Sequence, residues 1–250
     1  MIRRVGWLAA TALVAAVPVL PAGAQPGHLD KHEGARAGLH SCHVLPHARC
    51  GSIERPWEPG NPAAGTVTIG FVLIRARDHT KPVLGTVVPH EGGPGYSTTG
   101  TASSYAEMYG PLLERRNLLL VDQRGTGLSE PIDCRLLQNS DVPYADAAAA
   151  CAAQLGDRAD DYTTALSADD LAAVVDALGV GPVDLYGDSY GTFFAQVYAG
   201  RHPDQVRSVV LDSAYPTYGE DGWYPTQGPA MRSSFALVCR RSAACRDAGR

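Results

Sequence analysis

Apolar runs and stretches of helical spacing alternate along this chain, which is the signature of a sheet covered by helices. Thr66 to Arg75 alternates as a strand or tight strand pair, Val83 to Val88 is a second apolar run, and Asn117 to Asp122 a third. Pro182 to Tyr186 reads as a short buried strand and Val206 to Leu211 as the strand that follows it. Between them, Ser103 to Glu114 and Thr192 to Gly200 carry helical spacing, and Asp141 to Leu155 is an alanine-rich surface helix. The pattern predicts a helix from Ser167 to Leu178, with Asp170 completing a capping box and Gly179 as its stop. Residues 25–65 are rich in Gly, Pro and His and read as an irregular arm. No internal repeat is present.

Candidate chemistry gathers where the apolar runs end. Gly187-Asp188-Ser189-Tyr190-Gly191 joins a strand to a helix, the setting in which a serine is held on a sharp turn with small residues two places away on each side. Glu91-Gly92-Gly93-Pro94-Gly95 follows the run that begins at Val83, and Asp122-Gln123-Arg124-Gly125-Thr126-Gly127 follows the run from Asn117. All three motifs lie at carboxyl ends of predicted strands, where open α/β sheets place ligands.

In that order and spacing the three motifs resemble α/β-hydrolases of the proline iminopeptidase and secreted tripeptidyl aminopeptidase group. The resemblance runs from about Thr66 to the carboxyl terminus. It implies an α/β-hydrolase fold, a mostly parallel sheet flanked by helices, and a serine hydrolase that releases residues from peptide amino termini. One departure stands out: many members have histidine before the paired glycines, where this chain has Glu91, with His90 one place earlier.

On this reading Ser189 attacks a carbonyl, and the amides of Tyr190 and Gly93 hold the oxyanion, with Gly92 as the alternative donor. Gly187 and Gly191 let the backbone turn. Asp122 and Arg124 brace the oxyanion loop by ion pairing and hydrogen bonds without touching substrate, and Asp188 is a local cap. The base is the difficulty. In this fold the chain order is serine, acid, histidine, yet the last histidine is His202, at the exit of the helix that follows the serine. His90 precedes the serine, and Asp212 has no histidine to orient. The core, 66–227, is expected to stop after a sixth strand, and 228–250 to begin a helical lid with Phe235, Leu237 and Val238 on one side. The expectation is an incomplete hydrolase retaining roughly 10³ to 10⁴ over water, against a loss near 10⁶ in turnover. An esterase of the same fold or a catalytically silent binding module are the alternatives.

Composition narrows the partners. A net charge of −5 argues against nucleic acid and offers no basic patch to an anionic membrane. Arg3 and Arg4, the apolar stretch Val5 to Leu20 and the small residues Ala22-Gly23-Ala24 form a signal peptide, 1–24. Cleavage there removes two arginines and takes the charge from −5 to −7. The mature protein is then secreted or periplasmic, with no stable membrane association. Export permits disulfides, and the cysteines fall in near pairs: Cys42 with Cys50, Cys134 with Cys151, Cys239 with Cys245. Cys42, His43, His47 and Cys50 also have ligand types and spacing for zinc, although the disulfide is favoured. No metal or cofactor is implied, and the substrate is a peptide or small ester or amide. Glu91 and Glu220 are the candidates for holding a peptide amino terminus. Oligomeric state is not encoded in any of these patterns.

Overall fold

The structure, a computed structural model, describes residues 38–138, 141–218 and 227–247. Residues 1–24, expected to be a signal peptide, and Glu220 lie outside the described residues. Strands β1 (His40–Ser41) and β2 (Arg49–Pro56) pair antiparallel, and β2 continues antiparallel against β3 (Thr66–Ile74) from Arg49 opposite Leu73 to Pro56 opposite Thr66. The next strands in sequence are β4 (Thr86–His90), β5 (Asn117–Val121), β6 (Val183–Asp188) and β7 (Val206–Asp212). Together they form a seven-stranded sheet in the order β1-β2-β3-β5-β4-β6-β7. β4 lies between β5 and β6, parallel to both, and β6 is parallel to β7. The sequence predicts an irregular arm before residue 66. Instead β2 adds a strand there, because antiparallel pairing with β3 satisfies its backbone even though Arg49–Pro56 has little apolar alternation. β7 is thus the seventh strand, not the sixth.

Helices cover both faces of the sheet. α1 (Ala102–Met108) lies between β4 and β5, α2 (Tyr144–Leu155) and α3 (Thr164–Leu178) between β5 and β6, and α4 (Tyr190–Arg201) between β6 and β7. α5 (Gln227–Arg241) and α6 (Ala243–Asp247) follow. The two-residue period of β3 divides its side chains between two cores. Val67, Ile69, Phe71 and Leu73 pack with Leu171, Val174 and Leu178 of α3 and Phe194 and Tyr198 of α4. Val72 and Ile74 join Val87, Leu118, Leu120, Tyr105 and Leu113 on the opposite face. β7 forms the outer edge, with Val210 exposed, and α5 exposes Met231, Phe235 and Val238.

Several predicted boundaries move: β4 spans Thr86–His90 instead of Val83 to Val88, α2 begins at Tyr144 instead of Asp141, and two helix boundaries shift for identifiable reasons. α1 is shorter than Ser103 to Glu114, because Pro111 follows Gly110 and the chain resumes only as a 3₁₀ turn, Leu112–Glu114. α3 begins three residues before Ser167: Thr163 caps it, its hydroxyl accepting from the Leu166 amide at 3.2 Å. Asp170 therefore caps nothing and is drawn into a buried ion pair. Arg124 Nε and Nη2 each donate to its carboxylate at 2.9 Å, and Arg55 Nε donates at 3.2 Å. The remaining Arg124 donors reach the carbonyls of Trp57 and Asp161 at 3.1 and 3.2 Å. This one guanidinium joins the loop after β5, helix α3 and the segment after β2.

The cysteines are bonded in sequential pairs, Cys42–Cys50, Cys134–Cys151 and Cys239–Cys245. The first bond consumes the thiolates that the zinc alternative requires. The second ties the loop after β5 to α2, and the third closes the turn between α5 and α6.

Asp170→Ala is expected to leave the Arg124 charge buried without its carboxylate, at a cost of about 3–5 kcal/mol. Urea unfolding at neutral pH measures this, and a loss below about 1 kcal/mol would contradict the tie assigned to the pair.

Candidate active site

The elbow is made by the shortest possible passage from strand to helix. β6 ends at Asp188, α4 begins at Tyr190, and only Ser189 lies between them. Its backbone has φ 50° and ψ −123°, a left-side conformation that costs an L-residue of order 1–3 kcal/mol and persists only where the surroundings enforce it. The enforcing contacts are visible. A Cβ at Gly187 would strike the Gly191 carbonyl, and one at Gly191 would strike the His90 carbonyl. The Ser189 amide donates to the Asp212 carbonyl at 3.1 Å, while its own carbonyl accepts from the Thr192 amide at 3.0 Å and the Thr192 hydroxyl at 2.7 Å. That hydroxyl in turn accepts from the Tyr215 amide at 2.8 Å. Ser189 is half-buried at the top of the sheet.

The glycine turn after β4 sits directly against this elbow. A Cβ on Gly92 would come 3.0 Å from Ser189 Cβ and 3.2 Å from the Asp188 carbonyl oxygen, tighter than ordinary packing, so the close approach favours glycine. Gly93, at φ +114°, is exposed beside it. Among the described residues neither the Gly92 nor the Gly93 amide has an intramolecular backbone acceptor. Both amides are therefore available as donors, with Gly92 the nearer to the serine. The Tyr190 amide stands at the first position of α4, and its side chain is held by Thr164 Oγ1 at 2.7 Å.

Asp122 anchors the rest of the turn. Its buried carboxylate accepts from Ser97 Oγ at 3.0 Å, the Thr99 amide at 3.0 Å, Thr99 Oγ1 at 2.5 Å and the Leu128 amide at 2.7 Å. One side chain thus joins the segment after Gly95 to the loop after β5. Arg124 differs from its expected place: it faces Asp170 and the segment after β2 instead of the glycine turn, because the buried carboxylate of α3 satisfies its fork of donors.

Carboxyl groups gather on the other side of the serine. Tyr105 Oη is hydrogen-bonded to Glu91 Oε2 and, at 3.1 Å, to Asp188 Oδ1. Burial, and then the charge of Glu91, raise the Asp188 carboxyl above the usual aspartate value. Asp212 Oδ2 accepts from Tyr186 Oη at 3.1 Å. Asp188 thus belongs to a hydrogen-bonded group and is not a cap. Tyr105 has no local sequence signature: it lies fourteen positions from Glu91 and 83 from Asp188, and only the fold brings them together.

No described histidine hydrogen-bonds Ser189. His90 is buried and stacked on Phe194, with ring centroids 3.4 Å apart, and burial pushes its imidazole down to about 3. Its Nε2 has no hydrogen-bond partner among the described residues. His202 caps the far end of α4, where its Nε2 meets Asp169 Oδ1 at 2.8 Å. A helix of that length separates it from Ser189 by about 18 Å. A strained serine, two available glycine amides and an acidic flank form the site, and among the described residues no imidazole is placed to take the serine proton.

With this fold and elbow, the chain belongs to the α/β hydrolase fold family, which it matches over residues 85–237. Among curated relatives it is 25% identical over 198 residues to a tripeptidyl aminopeptidase of Streptomyces coelicolor, covering 70% of this chain and 37% of the relative. It is 28% identical over 189 residues to the serine protease Hip1 of Mycobacterium tuberculosis, covering 67% of this chain and 36% of that protein. A proline iminopeptidase of Neisseria gonorrhoeae is 28% identical over 142 residues, with 56% and 36% covered. The chain therefore spans little more than a third of the length of these relatives. Among solved structures, a proline iminopeptidase-related protein from Thermus thermophilus aligns with a TM-score of 0.40 at 22% identity, covering 65% of this chain and 44% of its own.

Gly191→Ala is expected to destabilise by about 1–3 kcal/mol, because its methyl group collides with the His90 backbone. Gly200→Ala, with open space around its Cβ, is the control and should stabilise by about 0.5–1 kcal/mol. Equal thermal midpoints for the two variants would contradict the tight elbow. His90 yields a second expectation. The unfolded imidazole protonates at its ordinary 6.5 and the folded one only near 3, so the unfolded state binds more protons between those values. Stability should fall as pH drops through that window, by roughly 1.4 kcal/mol per unit from this residue. His90→Phe should flatten that slope in pH-dependent unfolding, and unchanged slopes would refute the buried neutral imidazole.

Proposed function

We propose that this chain carries the nucleophile half of an exported, peptidase-like serine hydrolase, and that Ser189 is its nucleophile. The observation that supports this most strongly is the φ of 50° at Ser189, imposed by packing in which Gly187 and Gly191 leave no room for side chains. Strain of this kind is maintained where a side chain must be presented at one point. Ser189 would attack a carbonyl carbon, and the amides of Tyr190 and of Gly92 or Gly93 would receive the oxyanion. The relatives named tripeptidyl aminopeptidase, serine protease and proline iminopeptidase favour a peptide amide as the scissile bond. The basic, apolar and small-residue order of 1–24 and the three disulfides favour export.

The same reading makes a 250-residue polypeptide of this sequence catalytically silent. With His90 stacked away and His202 at the far end of α4, no imidazole among the described residues is placed to accept the serine proton. The polypeptide should hydrolyse tripeptide amides and activated esters at rates that Ser189→Ala leaves unchanged within about twofold, while any longer product of the gene that supplies an acid and a histidine should lose about 10⁶ in turnover with the same substitution. Rapid, Ser189-dependent tripeptide release by the polypeptide of this sequence would overturn its silence. Ser189-dependent cleavage of esters but not amides by the longer product would overturn the peptidase assignment in favour of an esterase.

A further inference from the structure

Tyr105 stands between two parts of the site that must stay in register. Glu91 belongs to the glycine turn after β4, Asp188 to the end of β6, and the phenol oxygen of Tyr105 touches a carboxyl oxygen of each. Thr101 Oγ1 lies 3.1 Å from the same Glu91 oxygen. Between the two carboxyls, the turn and the elbow come so close that a Cβ on Gly92 would lie 3.3 Å from Asp188 Oδ2.

Proton counting restricts what this arrangement is. A phenol has one hydrogen and donates it to one acceptor. An ionised carboxylate only accepts, so if both carboxyls were ionised, one of the two contacts would set a lone pair against a lone pair. Both contacts close when one carboxyl is protonated: its O–H donates to Tyr105 Oη, and the phenol donates its own hydrogen to the other carboxylate. Among the described residues no cation offers an alternative, since none of their ion pairs includes Glu91, Asp188 or Asp212. The other groups facing the cluster are Tyr186 and Asp212 from the strands, which bond to each other, and Tyr109 from the end of α1, whose hydroxyl is buried with no hydrogen-bond partner. His90, one residue before Glu91, is held neutral by burial and adds no positive charge. Burial of Asp188 and the nearby Glu91 charge act in the direction of proton retention.

We propose that Glu91 and Asp188 share one proton across the Tyr105 hydroxyl, and that this one-proton clamp positions the oxyanion turn against the Ser189 elbow. Loss of the proton as pH rises places two negative charges on either side of a single hydroxyl, breaks one of the two contacts and lets the turn move off the elbow. Tyr105, Glu91 and Asp188 are positioning residues in this scheme. The functional meaning of the clamp rests on Ser189 being the nucleophile, while its existence does not.

The test is a carboxyl and amide NMR titration of the full chain, which does not read Ser189 reactivity and so stands or falls apart from the hydrolase reading. In the wild type, the shared proton should leave at least one pH unit, about tenfold in proton affinity, above the midpoint of the lone carboxyl in Glu91→Gln or Asp188→Asn. The Gly92 and Ser189 amide shifts should follow the wild-type midpoint. Glu91→Gln, whose amide N–H mimics the protonated acid, should hold those shifts at their low-pH positions throughout. Tyr105→Phe should shrink the difference in midpoint, and if it does not fold, the two carboxyl variants suffice. Independent titration of both carboxyls at the single-variant values would overturn the shared proton. Coupled carboxyls with unmoved Gly92 and Ser189 amides would overturn the positioning role.

Discussion

The close approach of β6, α4 and the end of β4 at Ser189 is the constraint on which the site depends. Three backbone segments meet there: a Cβ at Gly187 or Gly191 would collide with backbone, and one at Gly92 would be crowded by Ser189 and Asp188. The strained serine is the consequence: with strand and helix both fixed to the core by Leu185, Phe194 and Tyr198, the single residue between them absorbs the change in direction. The cost is offset by the two buried cores, whose packed strands hold β4 and β6 in parallel register from Val87–Asp184 to His90–Gly187. Function at this site is therefore a product of packing before it is a product of chemistry.

Buried charge organises the next layer. Asp122 serves four donors from two loops, so the segment that continues from the glycine turn is tied to the carboxyl end of β5. Arg124 connects that same loop to α3 and the segment after β2, with Asp170 neutralising it at near-zero exposure. The two residues lie two positions apart in sequence and face opposite tasks, one toward the site and one toward the framework. On the far side of the serine the charge is of one sign, and Glu91, Asp188 and Asp212 are managed by tyrosine hydroxyls instead of cations.

Much of this was legible in the sequence because it is local. The elbow is encoded within five residues, the glycine turn within five and the strands by their apolar runs, so fold class and the position of Ser189 follow from short-range patterns. What was illegible is non-local. Asp170 has the right offset from Ser167 for a capping box, yet the helix starts earlier and a guanidinium 46 residues away takes the carboxylate. The polar strand Arg49–Pro56 has no period of its own to reveal it, because its pairing is dictated by the neighbouring β3. Tyr105 joins Glu91 and Asp188 across two elements, and no spacing rule connects the three.

The fold holds a strained serine on a strand-to-helix elbow while no imidazole among the described residues reaches it. Intact-mass detection of covalent modification by a fluorophosphonate, which reacts with a serine only when its proton is removed, tests this directly. The 250-residue polypeptide should remain unmodified under conditions that saturate a complete serine hydrolase. Stoichiometric modification mapped to Ser189 would mean that the serine is activated without any imidazole among the described residues, the opposite of the silence expected from this geometry.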